Sequence, residues 1–186
     1  MPEERNRKIS IQLASQCAPT FLRVKPSSLM MLCPEDTEVL EVQTRKAGVS
    51  RCLLYRGNQR DMWLLYREEE LNEILKKEEV RRFFQAMGYT SFSLPAVLNN
   101  VRMRLLEHRE NEGKYPHELG ILLGYPLVDV QGFIRNKGKN YLYSGYWKVY
   151  GDVEKARQLF QSYDRARKQM FQWLDAAAAQ TAEGAR

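Results

Sequence analysis

The pattern of apolar and polar positions predicts a helix near the start of the chain and shorter elements after it. Apolar residues recur at helical spacing in ISIQLASQC (residues 9–17), and the pair Ala18-Pro19 ends that pattern. The apolar run SLMMLC (28–33) is compatible with a strand or with a helix. Residues 36–46 have the periodicity of a further helix.

Two apolar segments in the next part of the chain predict a β-hairpin. RCLLY (51–55) and MWLLY (62–66) are rich in residues that favour strands, and RGNQRD (56–61) separates them. A Gly-Asn pair between two such segments is typical of a tight turn. We therefore expect the two segments to pair as antiparallel neighbours.

The middle of the chain predicts helices. The apolar stripe of residues 68–88 changes phase near Lys77, which indicates a kinked helix or two abutting helices, and Gly88 is a natural end for the second. Ser93 and Pro95 are typical of the start of another helix.

The C-terminal part predicts a strand, a long helix and a tail. NYLYSGYWKVYG (140–151) is rich in aromatic residues, which favour a strand. Asp152 has the side chain of a helix N-cap, and an amphipathic pattern follows it to about Leu174. Residues 176–186 are of low complexity, so we predict a disordered tail there and one folded domain over residues 1–175.

This order of elements predicts an α+β fold in which a small mixed or antiparallel sheet packs with several helices. Composition agrees with a globular protein, since 44% of the 186 residues are hydrophobic and 28% are charged. The net charge of +6 favours an acidic partner such as nucleic acid, a phosphorylated ligand or an acidic protein, although a surplus this small is also common without one.

The cysteines and histidines do not form a metal-binding motif. The three cysteines, Cys17, Cys33 and Cys52, do not form a Cys-x-x-Cys pair. The only histidines that could act as further metal ligands are His108 and His117, so we expect no metal site. The first residues carry charge without a following apolar core, so we expect no secretion signal, and no apolar run reaches about 18 residues. These features predict a cytoplasmic protein that does not enter the membrane.

Residues 115–140 have the spacing of a helix-turn-helix motif. Gly120 is the small residue required where two helices cross, and Gly124 is the glycine expected in the turn. The second helix, however, begins with Pro126–Val128 and carries Asp129, whereas base edges are contacted by polar and basic groups. We expect a helical hairpin that serves the fold; a DNA-binding regulator is an alternative, and nucleic acid is not the expected partner.

The segment after this hairpin contains candidate ligand-binding residues. Arg135, Lys137, Lys139 and Asn140 surround Gly138, and a glycine-containing turn with free backbone N–H groups and cations can hold a phosphate or carboxylate. The alternative is a basic turn on the surface without a ligand.

Aromatic residues follow this turn and extend the candidate site. Tyr146, Trp147 and Lys148 combine rings that can stack on a planar ligand with a further cation. The combination suits an anionic aromatic ligand such as a nucleotide or flavin, although aromatic residues on a strand are also ordinary core residues.

A thiol site is a second hypothesis. Cys17 lies at the predicted end of a helix, and His117 lies in the first turn of another; if they meet, the imidazole could activate the thiol as a nucleophile. Buried free cysteines that only pack are common, so this reading stays open beside the structural one.

Three motifs together resemble an uncharacterised family of proteins from clostridia and related anaerobes that is known only as a domain of unknown function. They are CAPT…KPSSL, YPHELGILLGYPLVDVQGFIRNKGKNY and GYWKVYGDVEKA, and the resemblance extends from about Cys17 to Tyr163. It implies that Lys25 belongs to the ligand-binding residues. Family genes near those of flavodoxin and ferrous-iron transport imply a connection to iron or redox metabolism. Ser144 replaces a cysteine frequent in the family, which puts paired-thiol chemistry in doubt.

We therefore expect an accessory protein that binds a small anionic or aromatic ligand or a redox partner protein. The expected ligand-binding residues are Lys25, Arg135, Lys137, Lys139, Asn140, Tyr146, Trp147 and Lys148, with Cys17 and His117 as candidate catalytic residues. The sequence specifies neither a cofactor, nor a reaction, nor an oligomeric state.

Overall fold

The computed structural model describes residues 2–111 and 114–184, with side chains described for residues 3–110 and 114–180. The chain has an α+β fold with a small antiparallel sheet, as the sequence predicts. Its strands are β1 (Ser27–Leu32), β2 (Ser50–Tyr55), β3 (Asp61–Tyr66), β4 (Tyr143–Ser144) and β5 (Lys148–Val149). Its helices are α1 (Pro2–Gln16), α2 (Ala18–Phe21), α3 (Thr37–Lys46), α4 (Glu68–Lys76), α5 (Glu78–Ala86), α6 (Leu94–Asn111), α7 (Leu119–Leu122), α8 (Leu127–Asn136) and α9 (Val153–Gly184).

The main sheet has the strand order β1-β3-β2, with both neighbouring pairs antiparallel. The predicted hairpin is confirmed as β2 and β3, and the undecided apolar run is strand β1. Successive side chains of a strand point to opposite faces. Leu64 accordingly packs in one hydrophobic cluster and Leu65 in another, so both faces of the sheet are covered.

The two faces carry different helices. One cluster joins the sheet to α4, α5, α6, α7 and α8, and the other joins it to α1 and α3. A third cluster packs β4 and β5 against α9, with Trp147, Phe160 and Tyr163 at its centre. The fold thus places the C-terminal hairpin between α8 and α9.

The predicted interruption at Lys77 is confirmed. Lys77 has an extended backbone (φ −64°, ψ 128°) between α4 and α5, so the apolar stripe is divided between two helices. Gly88 follows α5 with φ +89°, a conformation that glycine adopts without a steric penalty.

Arg67 connects the end of the sheet to two turns. Its guanidinium donates to the carbonyls of Thr20 (3.1 Å), Phe21 (2.7 Å), Ala47 (2.8 Å) and Gly48 (2.9 Å), while the residue is only 5% exposed. Buried carbonyls need a donor, and this one side chain supplies a hydrogen bond to four of them at the helix ends.

The predicted single strand over residues 140–151 is wrong. The chain instead forms a minimal hairpin of β4 and β5, each of two residues, which reverses around Gly145. The backbone of Gly145 lies against Phe160 of α9, where an added Cβ would come within 2.2 Å of the ring. This contact favours a sharp reversal over a continuous strand.

The last helix extends further than the sequence predicts. The Asp152 carboxylate accepts a hydrogen bond from the Lys155 backbone N–H at 2.9 Å, which confirms the predicted N-cap. The predicted domain end at residue 175 falls inside α9, which continues to Gly184 where a disordered tail is expected. Alanine has the highest helix propensity, and four consecutive alanines occur here. None of the helices in the described part of the chain combines the length and apolar character needed to cross a membrane.

Candidate functional site

A cavity of about 500 Å³ lies between the α7–turn–α8 unit and the β4–β5 hairpin. This volume is within the range of small-molecule sites in proteins. The walls combine aromatic rings, aliphatic side chains and few charges. The lining residues are Leu29, Tyr115, His117, Leu119, Gly120, Leu123, Tyr125, Asp129, Val130, Phe133, Ser144, Gly145, Tyr146, Trp147 and Lys148.

Two glycines allow one wall of the cavity to form. A Cβ added to Gly120 would lie 3.0 Å from Val130 of α8, so α7 and α8 approach closely at this point. Gly124 has φ +76° and packs against Pro26, where a Cβ would lie only 2.6 Å from the proline ring. The expected helical hairpin is therefore present, although α7 is a single turn.

Asp129 fixes the other wall to α8. Its carboxylate accepts hydrogen bonds from Trp147 Nε1 (2.7 Å) and from the backbone N–H groups of Tyr150 and Gly151 (both 2.8 Å). The residue is 3% exposed, so it is a buried acceptor and not a surface acid at the start of this helix. Asp129 instead sets the position of the Trp147 indole.

We expect Asp129→Asn to destabilise the protein by about 2 kcal/mol, because an amide oxygen accepts from Trp147 and the two backbone donors more weakly than a carboxylate. Chemical denaturation measures the change. Asp175→Asn is the control, since Asp175 is exposed on α9. An unchanged free energy of unfolding in Asp129→Asn would contradict this role.

The aromatic side chains are arranged in two groups around the cavity. Tyr125 stacks on Trp147 with ring centroids 4.8 Å apart and an interplanar angle of 27°. His117 lies between Tyr115 and Phe133, with centroid distances of 5.4 and 5.1 Å. Burial lowers the pKa of His117 below its ordinary value of 6.5, so its imidazole is neutral at neutral pH.

Lys148 is the ammonium on the cavity wall. Its Nζ donates to the Gly138 carbonyl at 2.7 Å and lies 5.0 Å from the Tyr141 ring centroid. A lysine ammonium has three protons, so two remain for other acceptors. The bond to Gly138 also ties the turn after α8 to the cavity.

Four expected ligand-binding residues, one in the last turn of α8 and three in the turn after it, are not on the cavity wall. Arg135, Lys137, Lys139 and Asn140 are exposed to solvent. Lys137, Gly138 and Asn140 have positive φ values of 50°, 71° and 57°, so the turn leaves α8 along the surface. Of the expected residues, the cavity brings together His117, Tyr146, Trp147 and Lys148.

Cys17 lies in a different part of the fold from this cavity. It is fully buried in the cluster of α1, α3 and the sheet, and it is absent from the cavity wall that includes His117. Burial raises the pKa of its thiol to about 12, and the nearby Lys25 ammonium offsets this only in part. A thiol of this pKa is protonated at neutral pH, so the environment does not support the predicted pairing with His117, which stays a prediction.

Lys25 lies behind the aromatic wall of the cavity. Its Nζ is 5.4 Å from the Tyr125 ring centroid and 5.7 Å from that of Tyr163 on α9. Burial lowers the pKa of Lys25 to about 8, although the nearby Cys17 raises it slightly. The residue implied by the family resemblance is therefore next to the cavity but not part of its lining.

The packing of α8 differs from that of a DNA recognition helix. A Cβ at Gly132 would lie 2.5 Å from the Tyr150 side chain, so this face of α8 is covered by the chain after β5. Asp129 is covered as well. The DNA-binding alternative stays a prediction that these contacts do not favour.

Several cavity residues are not among those that the sequence indicates. Tyr115, Tyr125 and Phe133 supply rings, and Asp129 supplies the hydrogen bonds that hold Trp147. Tyr125 directly follows the turn glycine, but nothing in that position distinguishes a cavity residue from a packing residue. Within residues 2–111 and 114–184, no three His, Cys, Asp or Glu side chains are placed to hold a metal ion.

Comparison with known proteins identifies the family but no relative of known activity. No curated protein and no solved structure matches the chain. The family model described as "Protein of unknown function (DUF3793)" matches residues 13–182. The resemblance to a family of unknown function is thus confirmed. Since the match extends over nearly the whole sequence, the chain belongs to the DUF3793 family of proteins of unknown function.

Proposed function

We propose that the protein is a cytoplasmic binding protein whose cavity accepts a small planar ligand with a negative charge. The observation that carries the proposal is that the stacked rings of Tyr125 and Trp147 line the same cavity as the Lys148 ammonium. Small-molecule sites commonly combine apolar and aromatic walls with a few polar groups that orient the ligand.

The aromatic side chains support a planar ligand. Aromatic rings gain about 0.5–1.5 kcal/mol from stacked or edge contacts beyond the burial of area. The hydrogen bond from Trp147 to Asp129 holds the indole in place before a ligand arrives, so little conformational freedom remains to be lost on binding. A heterocycle such as a flavin or nucleobase has the shape that these walls accept.

The polar groups favour an anion. Lys148 can donate to a carboxylate or phosphate, and charge-assisted bonds are the stronger class. The Asp129 carboxylate already accepts hydrogen bonds from three N–H groups. The His117 imidazole, neutral at neutral pH, makes no hydrogen bond to another described residue and is free to orient the ligand. The exposed Lys137 and Lys139 raise the local positive potential.

A redox partner protein is implied only by the resemblance, as is a place in iron or flavodoxin-linked metabolism. The contacts of the cavity favour a small molecule over a protein surface, because its volume is about 500 Å³ and its walls are concave. The small ligand is therefore the leading proposal.

The first test uses probes that differ in charge only. Flavin mononucleotide with riboflavin, and AMP with adenosine, are titrated while tryptophan fluorescence and the melting temperature are recorded. We expect a member of at least one pair to quench Trp147, and Trp147→Phe to remove that quenching. Trp173→Phe should retain it, since Trp173 is exposed on α9. The proposal would be contradicted if none of the four probes changes the tryptophan fluorescence or the melting temperature of the protein.

We expect Lys148→Gln to weaken binding of the phosphorylated probe about 10-fold, because it removes one charge-assisted hydrogen bond worth about 1.5 kcal/mol. The uncharged probe should lose little affinity. Lys155→Gln, at an exposed position of α9, is the matched control and should bind both probes like the original protein. If Lys148→Gln binds the phosphorylated and the uncharged probe more weakly by the same factor, the effect comes from altered packing and not from the lost charge. Calorimetric titration measures the affinities.

A further inference from the structure

Lys25 is a buried cation without an acidic partner. The residue is 9% exposed, and none of the described residues forms an ion pair with its ammonium or accepts a hydrogen bond from it. Its described neighbours are the rings of Tyr125 and Tyr163 and the fully buried thiol of Cys17. Charged groups with so little exposure are nearly always paired.

The backbone places this side chain firmly. Both Val24 N–H and Lys25 N–H donate to the Pro19 carbonyl, at 2.7 and 3.0 Å, and Arg23 before them has φ +57°. The chain therefore makes a tight turn between α2 and β1 that leaves the Lys25 ammonium between α9 and the turn after α7. A flexible surface lysine would not need this anchoring.

The rings attract the ammonium but do not replace a counter-ion. A cation over an aromatic face gains about 0.5–2 kcal/mol, whereas losing water costs an ammonium several kcal/mol. Burial correspondingly lowers the pKa of Lys25 to about 8. A methionine or leucine would fill the same space without this cost. The charge is therefore not needed to fill this space.

We infer that Lys25 is a binding position for the carboxylate or phosphate group of a small anion, which contacts the ammonium beside the rings of Tyr125 and Tyr163. The anion accepts hydrogen bonds from the unpartnered ammonium. This position goes beyond the proposed function, because Lys25 does not line the cavity. Tyr125 belongs to both places, so the anion is either free in solution or the charged substituent of the cavity ligand.

The test compares the original protein with Lys25→Met, Lys25→Arg and the exposed control Lys155→Met. Melting temperatures are measured at pH 7 in sodium phosphate and in sodium acetate, each against sodium chloride of equal ionic strength. At a tenfold excess over Kd, we expect the original protein, Lys25→Arg and Lys155→Met to gain about 3 °C or more. The melting temperature of Lys25→Met should change only by the general effect of salt.

A second arm identifies the source of the anion. AMP and adenosine are titrated into the original protein and Lys25→Met. If the anion is the substituent of the cavity ligand, Lys25→Met weakens AMP about 10-fold and leaves adenosine unchanged. If the anion is free in solution, AMP has the same affinity for both proteins. In that case phosphate or acetate alone raises the melting temperature of the original protein more than that of Lys25→Met. Either result supports the anion position.

The inference is overturned if Lys25→Met responds to phosphate and acetate like the original protein and also binds AMP equally well. It is also overturned if phosphate and acetate affect the original protein no more than chloride does and AMP binds it no more tightly than adenosine. Failure of the cavity proposal looks different. In that case no aromatic probe binds the original protein, while the phosphate response still depends on Lys25.

Discussion

Arg67→Ala is expected to lower the free energy of unfolding by about 4 kcal/mol, the largest loss among single substitutions considered for this protein. The guanidinium donates to four carbonyls, two at the end of α2 and two after α3, in a site that is 5% exposed. Removing the side chain leaves the carbonyls of Phe21, Ala47 and Gly48 without this donor, while the Thr20 carbonyl keeps a bond from the Arg23 N–H at 3.3 Å. Each buried unsatisfied group costs about 1–3 kcal/mol before relaxation. Urea denaturation followed by circular dichroism measures the loss.

Two further variants separate the hydrogen bonds from the charge. Lys at position 67 keeps the charge but lacks the planar fork, so we expect Arg67→Lys to recover no more than about half of the lost stability. Arg56→Ala is the control, because Arg56 is exposed beside β2 and should change stability by less than about 0.5 kcal/mol. A loss in Arg67→Ala no greater than in Arg56→Ala would show that water satisfies the four carbonyls.

Lys25→Met is expected to stabilise the protein by roughly 2 to 4 kcal/mol at pH 7. The folded pKa of Lys25 is about 8, against an ordinary value of 10.5, and each pKa unit corresponds to about 1.4 kcal/mol. Because the folded value is the lower one, the charged lysine opposes folding. The cost is complete below pH 8 and disappears as the pH rises towards 10.5.

The advantage of Lys25→Met should therefore shrink by about 2 kcal/mol between pH 7 and pH 9.5, a range that includes most of the titration. The stability difference between the two proteins is the quantity to compare, since burial also raises the pKa values of Cys17, Tyr125 and Tyr163, which face Lys25. Denaturation in chloride buffers free of phosphate and carboxylates gives the difference. A pH-independent advantage would show that Lys25 keeps the same charge in the folded and unfolded proteins over this range, so that burial does not lower its pKa.

The main-sheet hairpin and the division at Lys77 follow from local patterns and could be predicted. A Gly-Asn turn between two β-favouring segments specifies a hairpin through backbone geometry alone. A change in the phase of an apolar stripe likewise reflects which residues one helix can bury. The continuous strand over residues 140–151 was wrong because Gly145 contacts Phe160, and no local pattern contains that pairing.

The candidate site was only partly accessible to sequence reasoning. Tyr146, Trp147 and Lys148 are adjacent in the chain and reach the cavity together. Lys137 and Lys139 are just as polar, yet they lie on the surface because the turn after α8 passes through left-handed conformations. Arg135 is exposed on the last turn of α8 itself. The sequence shows which residues have side chains that can bind a ligand. The path of the backbone determines which of those side chains face the cavity.

Local patterns were enough to predict the fold class, the position of most helices and strands, and the helical hairpin around Gly120 and Gly124, because periodicity and turn chemistry operate within single elements and the turns that join them. The packing of separate elements was needed to show that Asp129 is a buried acceptor and that Lys25 has no acidic partner among the described residues. The first depends on Trp147 of the C-terminal hairpin, which folds back onto α8, and the second on Tyr163 of α9, which is far from Lys25 in the sequence. Burial and pairing arise from such contacts, and they change what a carboxylate or an ammonium can do.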